Sequence, residues 1–310
     1  MKLQMKRDSK IYNSKYSVHK NMITYVNGKY IKSYDAKISI YDLGFTNGEM
    51  IYDTFRTFNK KPFHVNFHLK RLWETSKYTG IKINITKNQI IKIINKLLKN
   101  NKNYIGQHDD LWCFMRFTRS GSSIIEMNRI KFENYSKYYL QGLRLHTSKI
   151  KRIPPSCVDP RGKISANYVN LSLAREEIWK FDRQGNAILL DLEGYINEGY
   201  GFNIFFVKKN KIITPKDEKV LNGVVRNFIE KISKKNGLKF IKKDISITEA
   251  YNCDESFITA TGWGICPIKS FNKKVYMKKI NNNKITKLLQ DEYSKMVGVN
   301  LVDQYLKFLK

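Results

Sequence analysis

The residues in this chain with the types and surroundings to do chemistry are a lysine, a glutamate and a set of anion-suited turns. Lys163 lies in DPRGKISANYVN, residues 159–170, after Gly162 and ahead of Ser165 and Ala166. Small neighbours leave room for a bulky group to approach the amine. Lys163 therefore reads either as a surface charge or as a nucleophile toward a carbonyl. Glu198, in GYINEGYGFN, reads on its own as a turn residue between Asn197 and Gly199. A helix expected to begin in LNGVVRNF would present free backbone N–H groups behind Gly223, a cradle for an anion. Thr259-Ala260-Thr261-Gly262 closes a strand with hydroxyls and flexible backbone, a second such cradle. Arg56, in mid-strand in YDTFRTF, is either an outward charge or a buried partner for a phosphate.

Mixed α and β elements must position these groups. MITYVNGKYIKS predicts a hairpin about Asn27-Gly28, and YDTFRTFNKKPFHV repeats the pattern with a longer turn. Val65, His68, Leu69, Leu72 and Ser76 fall at helical spacing. Thr86 caps a second helix with Ile90, Ile94 and Leu97 on one face, and DLWCFMRFTRS reads as a buried strand. Periodicity fails from Gly121 to about Lys137, which places an interdomain loop at 121–137. The expected organisation is a polar lead-in at 1–20, a small α/β domain at 21–120 and a large one at 138–310. In the second half LRLHTSK, AILLDLEGYINEG, FNIFFVKKNKIITP and ESFITATG read as strands. Helices are expected after Lys163, over Asn222 to Gly237, and as one long element from Lys284. Without regular β-α alternation, a doubly wound domain is excluded.

Composition narrows the function classes. The 57 basic and 27 acidic residues give a net charge of +30, which raises the possibility of nucleic acid. The excess is mostly lysine spread along the whole chain, whereas a dedicated face favours clustered arginine interleaved with aromatics. A solvated lysine surface is the expectation, with no specific nucleic-acid site. No apolar run approaches the roughly 18 residues of a membrane span, and the basic N-terminus lacks the apolar core of a signal peptide. Cys113, Cys157, Cys253 and Cys266 form no metal-like spacing, so reduced thiols in the cytoplasm are expected. The five histidines are scattered, and no metal is expected. Gly199-Tyr200-Gly201 begins like a dinucleotide fingerprint but runs into a strand where a helix is required.

Taken together and in order, YDLGFTNGEMIYDTFRTF with FHLKRL, GKISANY, GYINEGYGFNIF, VLNGVVR and CDESFITATG resemble the class IV aminotransferases, pyridoxal-phosphate enzymes of fold type IV. The resemblance runs from about Ile23 to Val275 and is nearest the branched-chain members. It implies two mixed α/β domains with the active site between them, in a homodimer or larger assembly. It also implies roles. Lys163 forms the imine with the cofactor aldehyde and shuttles the α-proton, and Glu198 pairs with the pyridine nitrogen so that the ring acts as an electron sink. Tyr168 donates to the phenolic oxygen. Arg56, Thr261 and the backbone amides of Val224 and Val225 hold the phosphate. Thr261 and Gly262 face the substrate carboxylate, and Arg116 in CFMRF matches an arginine near the acceptor's distal carboxylate.

Three positions depart from the pattern. Val225 stands where the family usually has Thr, Phe202 where branched-chain members commonly carry Glu, and the bulky Trp263 where small residues are usual. GYGFN is closer to the (R)-amine transaminases. The expected function is transamination between a branched-chain or other apolar amino acid and 2-oxoglutarate. The alternatives are (R)-amine or D-amino-acid transamination, the aminodeoxychorismate lyase reaction, and a lysine-rich nucleic-acid binder on an inactive scaffold.

Overall fold

The computed structural model describes residues 21–277 and 283–309; the polar lead-in expected at 1–20 lies outside them. The chain divides into two units, Met1–Lys131 and Phe132–Lys310.

The first unit is an antiparallel sheet with two principal helices. Strands β1 (Ile23–Val26), β2 (Lys29–Lys32), β3 (Met50–Phe58), β4 (Lys61–Pro62), β5 (Leu111–Thr118) and β6 (Ser123–Arg129) run in the order β2-β1-β6-β5-β3-β4. The helices are α1 (Leu43–Thr46), α2 (Val65–Thr79) and α3 (Lys87–Asn101). Leu69 and Leu72 of α2 and Ile90, Ile94 and Leu97 of α3 share one core with Ile51, Phe55, Cys113 and Met115 of the sheet. Thr86 is the expected cap, and it forms a capping box with Gln89, each side chain bonding the other's backbone N–H. Asn27 and Gly28 both have positive φ, as a two-residue hairpin turn between Val26 and Lys29 requires.

The β3–β4 connection is tighter than its sequence suggests. Phe58 pairs with Lys61, leaving only Asn59 and Lys60 in the loop, both at positive φ without a glycine. Asp110 braces them: its carboxylate accepts the Asn59 N–H at 3.2 Å, the Lys60 N–H at 2.8 Å and the Thr57 hydroxyl at 2.6 Å. Charge-assisted bonds to backbone N–H groups offset the strain of the left-handed conformation. The stretch 121–137, expected as an interdomain loop, is a correction. It contains β6, and the division between units falls after Lys131. Ser123, Ile125 and Met127 alternate with the half-buried Ile124 and Glu126, and face Phe117, Met115 and Cys113 of β5. Three alternations were enough for a paired strand where no longer periodicity existed.

The second unit is built on a mixed sheet. Its strands are β7 (Leu143–Thr147), β8 (Gly185–Leu190), β9 (Ile196–Gly199), β10 (Asn203–Lys208), β11 (Lys211–Thr214), β12 (Lys239–Lys242), β13 (Glu255–Ala260), β14 (Gly264–Phe271) and β15 (Lys274–Val275). The order is β12-β11-β10-β13-β14-β7-β8-β9, with β15 on β14; β11–β12, β14–β7 and β7–β8 are parallel. Helices α4 (Ser136–Gln141), α5 (Asn167–Trp179), α6 (Val224–Lys235), α7 (Ile247–Tyr251), α8 (Lys284–Val297) and α9 (Leu301–Leu306) accompany it. Leu171, Ala174 and Ile178 lay one side of α5 on Ala187 and Leu189 of β8, which fixes the chain just beyond Lys163. The single helix expected from Lys284 is two. Gly298 ends α8 at φ 72°, and the Asn300 side chain accepts the Asp303 N–H to start α9.

Candidate active site

Glu198 is a buried carboxylate of the second unit. It lies near the end of β9, where all four residues are buried, and is itself 5% exposed. A carboxylate so placed must be matched by donors. Arg152 supplies two, with Nη2 at 3.1 Å and Nε at 3.3 Å from Oε1. The Leu221 backbone N–H donates to Oε2 at 3.0 Å. Arg152 is equally buried, anchored by its own N–H to the Leu190 carbonyl at 2.8 Å. Its Nη1 has no hydrogen-bond partner among the described residues, nor has the buried Thr259 hydroxyl or Asn197 Oδ1. Buried polar atoms left open in one region mark a place suited to a polar ligand.

The turn after Glu198 is shaped by close approach. A Cβ on Gly199 would lie 2.1 Å from the Phe202 ring, so only glycine lets that ring fold back on β9. Asn203 then donates Nδ2 to the Leu221 carbonyl at 3.0 Å. Leu221 is thereby held by both groups, its N–H on Glu198 and its C=O on Asn203. That double tie fixes the approach to α6. Gly223 is the N-cap of α6 with no side-chain cap, and a Cβ there would lie 2.1 Å from Asn203 Oδ1. Val224 and Val225, each 5% exposed, open the helix with their N–H groups. An uncapped, buried 12-residue helix start with no acidic residue in its first turn suits an anion.

Lys163 and Tyr168 flank the same turn. Lys163 is half-buried just ahead of α5, with Nζ 5.9 Å from the Tyr168 ring centroid. Tyr168 packs edge-on to Tyr200 at 5.2 Å, and its hydroxyl lies 3.8 Å from the position of a Cβ on Gly201. The side chain thus bridges from the lysine to the Tyr200-Gly201 turn that follows Glu198. On the other side Trp263 lies 6.3 Å from Phe202, tying in the Thr261-Gly262 turn. Thr259 pairs with Asn203 across β13 and β10, and Thr261 follows two residues later. The contacts of this unit therefore gather Lys163, Tyr168, Glu198, Val224, Val225, Thr261 and Gly262 about one region. They pair a fixed carboxylate with a nearby anion cradle, and the lysine amine reaches this region through Tyr168.

Arg56 and Arg116 belong to the first unit. Arg56 is 1% exposed, donates Nε to the Thr57 carbonyl at 3.0 Å, lies 3.7 Å from Asp110 and stacks 4.0 Å over Phe58. Arg116 pairs with Glu126 of β6 and lies 4.5 Å over Phe114. Sequence reasoning missed Arg152 and Asn203. Arg152 precedes Ile153-Pro154-Pro155, an unremarkable loop, and its partner is 46 residues away. The only available signal was an arginine and a glutamate both lying close, in sequence, to the lysine segment and its following strands.

The second unit carries this constellation on a mixed sheet, and comparison with known proteins gives the family. The chain belongs to the class IV aminotransferases: the family model, amino-transferase class IV, matches residues 50–271. The enzyme is a transaminase. The chain is 26% identical over 298 residues to the "probable branched-chain-amino-acid aminotransferase" of Aquifex aeolicus, covering 91% of this chain and 94% of the relative. It is 34% identical over 161 residues to the branched-chain-amino-acid aminotransferase of Pseudomonas aeruginosa, 51% of each chain. Among solved structures it resembles the branched-chain aminotransferase of Thermoproteus uzoniensis with norvaline, at a TM-score of 0.79 and 22% identity over 93% of this chain and 98% of that one. The Escherichia coli branched-chain amino acid aminotransferase gives a TM-score of 0.77 and 21% identity over 91% of this chain and 95% of that one. These likenesses show the fold, type IV.

Proposed function

We propose that this transaminase uses pyridoxal 5'-phosphate to move an amino group between a branched-chain or other apolar amino acid and 2-oxoglutarate. The observation that carries the reading is the link from Glu198 through Leu221 to the uncapped start of α6. A carboxylate that can accept from a pyridinium N–H and an N-terminus that can take a phosphate are tied by one residue. The open Thr259 hydroxyl and the glycine cradle at Gly223 fit the same group. When bound, the cofactor supplies an aldehyde for the amine and a ring that accepts electrons.

The residues of this chain do the rest. Lys163 is the covalent anchor and carries the α-proton. Glu198 keeps a proton on the ring nitrogen, and Arg152 orients Glu198. Tyr168 donates to the phenolic oxygen, and the Val224 and Val225 amides with Thr261 take the phosphate; the family resemblance gives Arg56 a phosphate-binding task as well. Val225 contributes through its backbone, so the absent threonine hydroxyl costs one contact and leaves the helix N–H in place. Thr261 and Gly262 receive the substrate carboxylate, and Arg116 is assigned to the acceptor's second carboxylate. A homodimer or larger assembly goes with the family. The four cysteines are free thiols, which supports a reducing, cytoplasmic setting.

An amino-donor panel against 2-oxoglutarate tests the reading. Leucine, isoleucine and valine are expected to lead. High activity on a chiral amine or a D-amino acid, for which Phe202 in GYGFN argues, would replace the donor assignment while keeping the reaction.

A further inference from the structure

We propose that Tyr139 and Tyr305 are positioning residues that preorganise the Thr261–Gly264 turn for the substrate carboxylate. The inference rests on the reading above, in which Thr261 and Gly262 receive that group. Tyr139 of α4 donates its hydroxyl to the Trp263 carbonyl, and Tyr305 of α9 donates to the Gly262 carbonyl. The two rings stack with centroids 4.3 Å apart and planes at 19°, so the hydroxyls act as a pair on consecutive peptides. Both side chains are buried. Phe132 meets Tyr305 edge-on at 5.0 Å, and Tyr138 stacks on Trp263 at 5.8 Å.

A peptide unit is planar and trans, so fixing a carbonyl fixes the direction of the next N–H. Holding the Gly262 and Trp263 carbonyls therefore sets the N–H groups of Trp263 and Gly264. The Trp263 N–H closes the turn on the Ala260 carbonyl at 3.2 Å. Glycines at 262 and 264 would otherwise leave these peptides free to rotate. Gly264, at φ 60°, packs beneath Leu301 of α9, where a Cβ would lie 2.8 Å from the leucine methyls. Two helices far apart in sequence thus set the geometry of a four-residue turn. With these carbonyls and the Trp263 N–H engaged, the turn that carries Thr261 and Gly262 is held in place before the anion arrives and binds it without a reorganisation cost.

Tyr139→Phe, Tyr305→Phe and the double variant remove the hydroxyls and keep the stacked rings. In the cofactor-loaded full chain, each single variant is expected to raise KM for a branched-chain amino acid about three- to tenfold, the worth of one neutral hydrogen bond, with kcat within about twofold. Backbone hydrogen exchange is expected to quicken over residues 260–265 and not across β10 or the remainder of β13 and β14. Unchanged exchange at the turn, or exchange rising throughout the sheet, overturns the proposal. So does a loss of bound cofactor at unchanged KM, which would assign the phenols to a different task. If the wild-type chain transaminates no donor, the functional reading falls. Exchange at 260–265 then still decides whether the two phenols hold the turn.

Discussion

Arg152 and Glu198 form a buried ion pair, with Nη2 3.1 Å from Oε1 and side chains 3% and 7% exposed. Glu198 is also bound by the Leu221 N–H, which fixes its second oxygen toward the start of α6. The pair has the character of a positioning device: two charges removed from water, each limiting the movement of the other. Charge pairs of this kind contribute orientation more dependably than net stability.

Removing one partner exposes that design. Arg152→Met leaves Glu198 buried without its cation and is expected to cost about 3–5 kcal/mol of stability, the usual penalty for breaking a buried pair. The denaturant midpoint measures it. A variant as stable as the parent would mean that the pair is dispensable.

Glu198→Gln separates the charge from the shape. The amide still fills the site at the end of β9, so bound cofactor and its visible absorbance should persist. Turnover should fall by most of its value, because a neutral partner no longer holds the ring nitrogen protonated. Wild-type turnover in this variant would contradict the role given to Glu198.

The first unit carries a testable acid sensitivity. Asp53 is fully buried on β3 and receives Arg71 through Nε at 2.7 Å and Nη2 at 2.8 Å, with His68 Nδ1 at 2.8 Å. Burial pushes its carboxyl up, but the Arg71 charge and the His68 contact outweigh burial and hold it well below the usual carboxylate range. A depressed pKa contributes stability that is complete above the unfolded value of about 3.9 and is lost as pH falls below it. Urea midpoints for wild type should therefore drop more between about pH 6 and pH 3 than those of Asp53→Asn. Parallel drops would remove Asp53 from the acid response.

Much of the scaffold is legible in local chemistry, and the site is legible only in part. The Asn27-Gly28 turn and the Thr86-Gln89 box depend on neighbours in the chain, so their residue types announce them. The Asn59-Lys60 turn does not, because its brace, Asp110, lies 51 and 50 residues away. Gly298 and Asn300 did carry a stop and a restart, obscured by apolar spacing that continues into α9. Lys163, Tyr168 and Glu198 emerge as a set through ordered motifs. Arg152, Tyr139 and Tyr305 act through contacts that only the packed sheet creates.

The role proposed for Arg116 in acceptor choice is testable. Its pair with Glu126 across β5 and β6 gives it a structural task, and its guanidinium fork also suits a second carboxylate. Arg116→Ala is expected to raise KM for 2-oxoglutarate roughly ten- to a hundredfold, as for one charge-assisted bond, and to spare pyruvate. Equal losses for both acceptors would leave Arg116 with the Glu126 pair alone.

The proposed role of Lys163 as covalent anchor is tested most directly by borohydride reduction followed by peptide mapping. Only an imine between the lysine amine and the cofactor aldehyde reduces to a stable secondary amine. A phosphopyridoxyl adduct is expected on the peptide containing Gly162-Lys163-Ile164, with its disappearance in Lys163→Ala. An adduct on a different lysine, or none on protein carrying the cofactor, would contradict it.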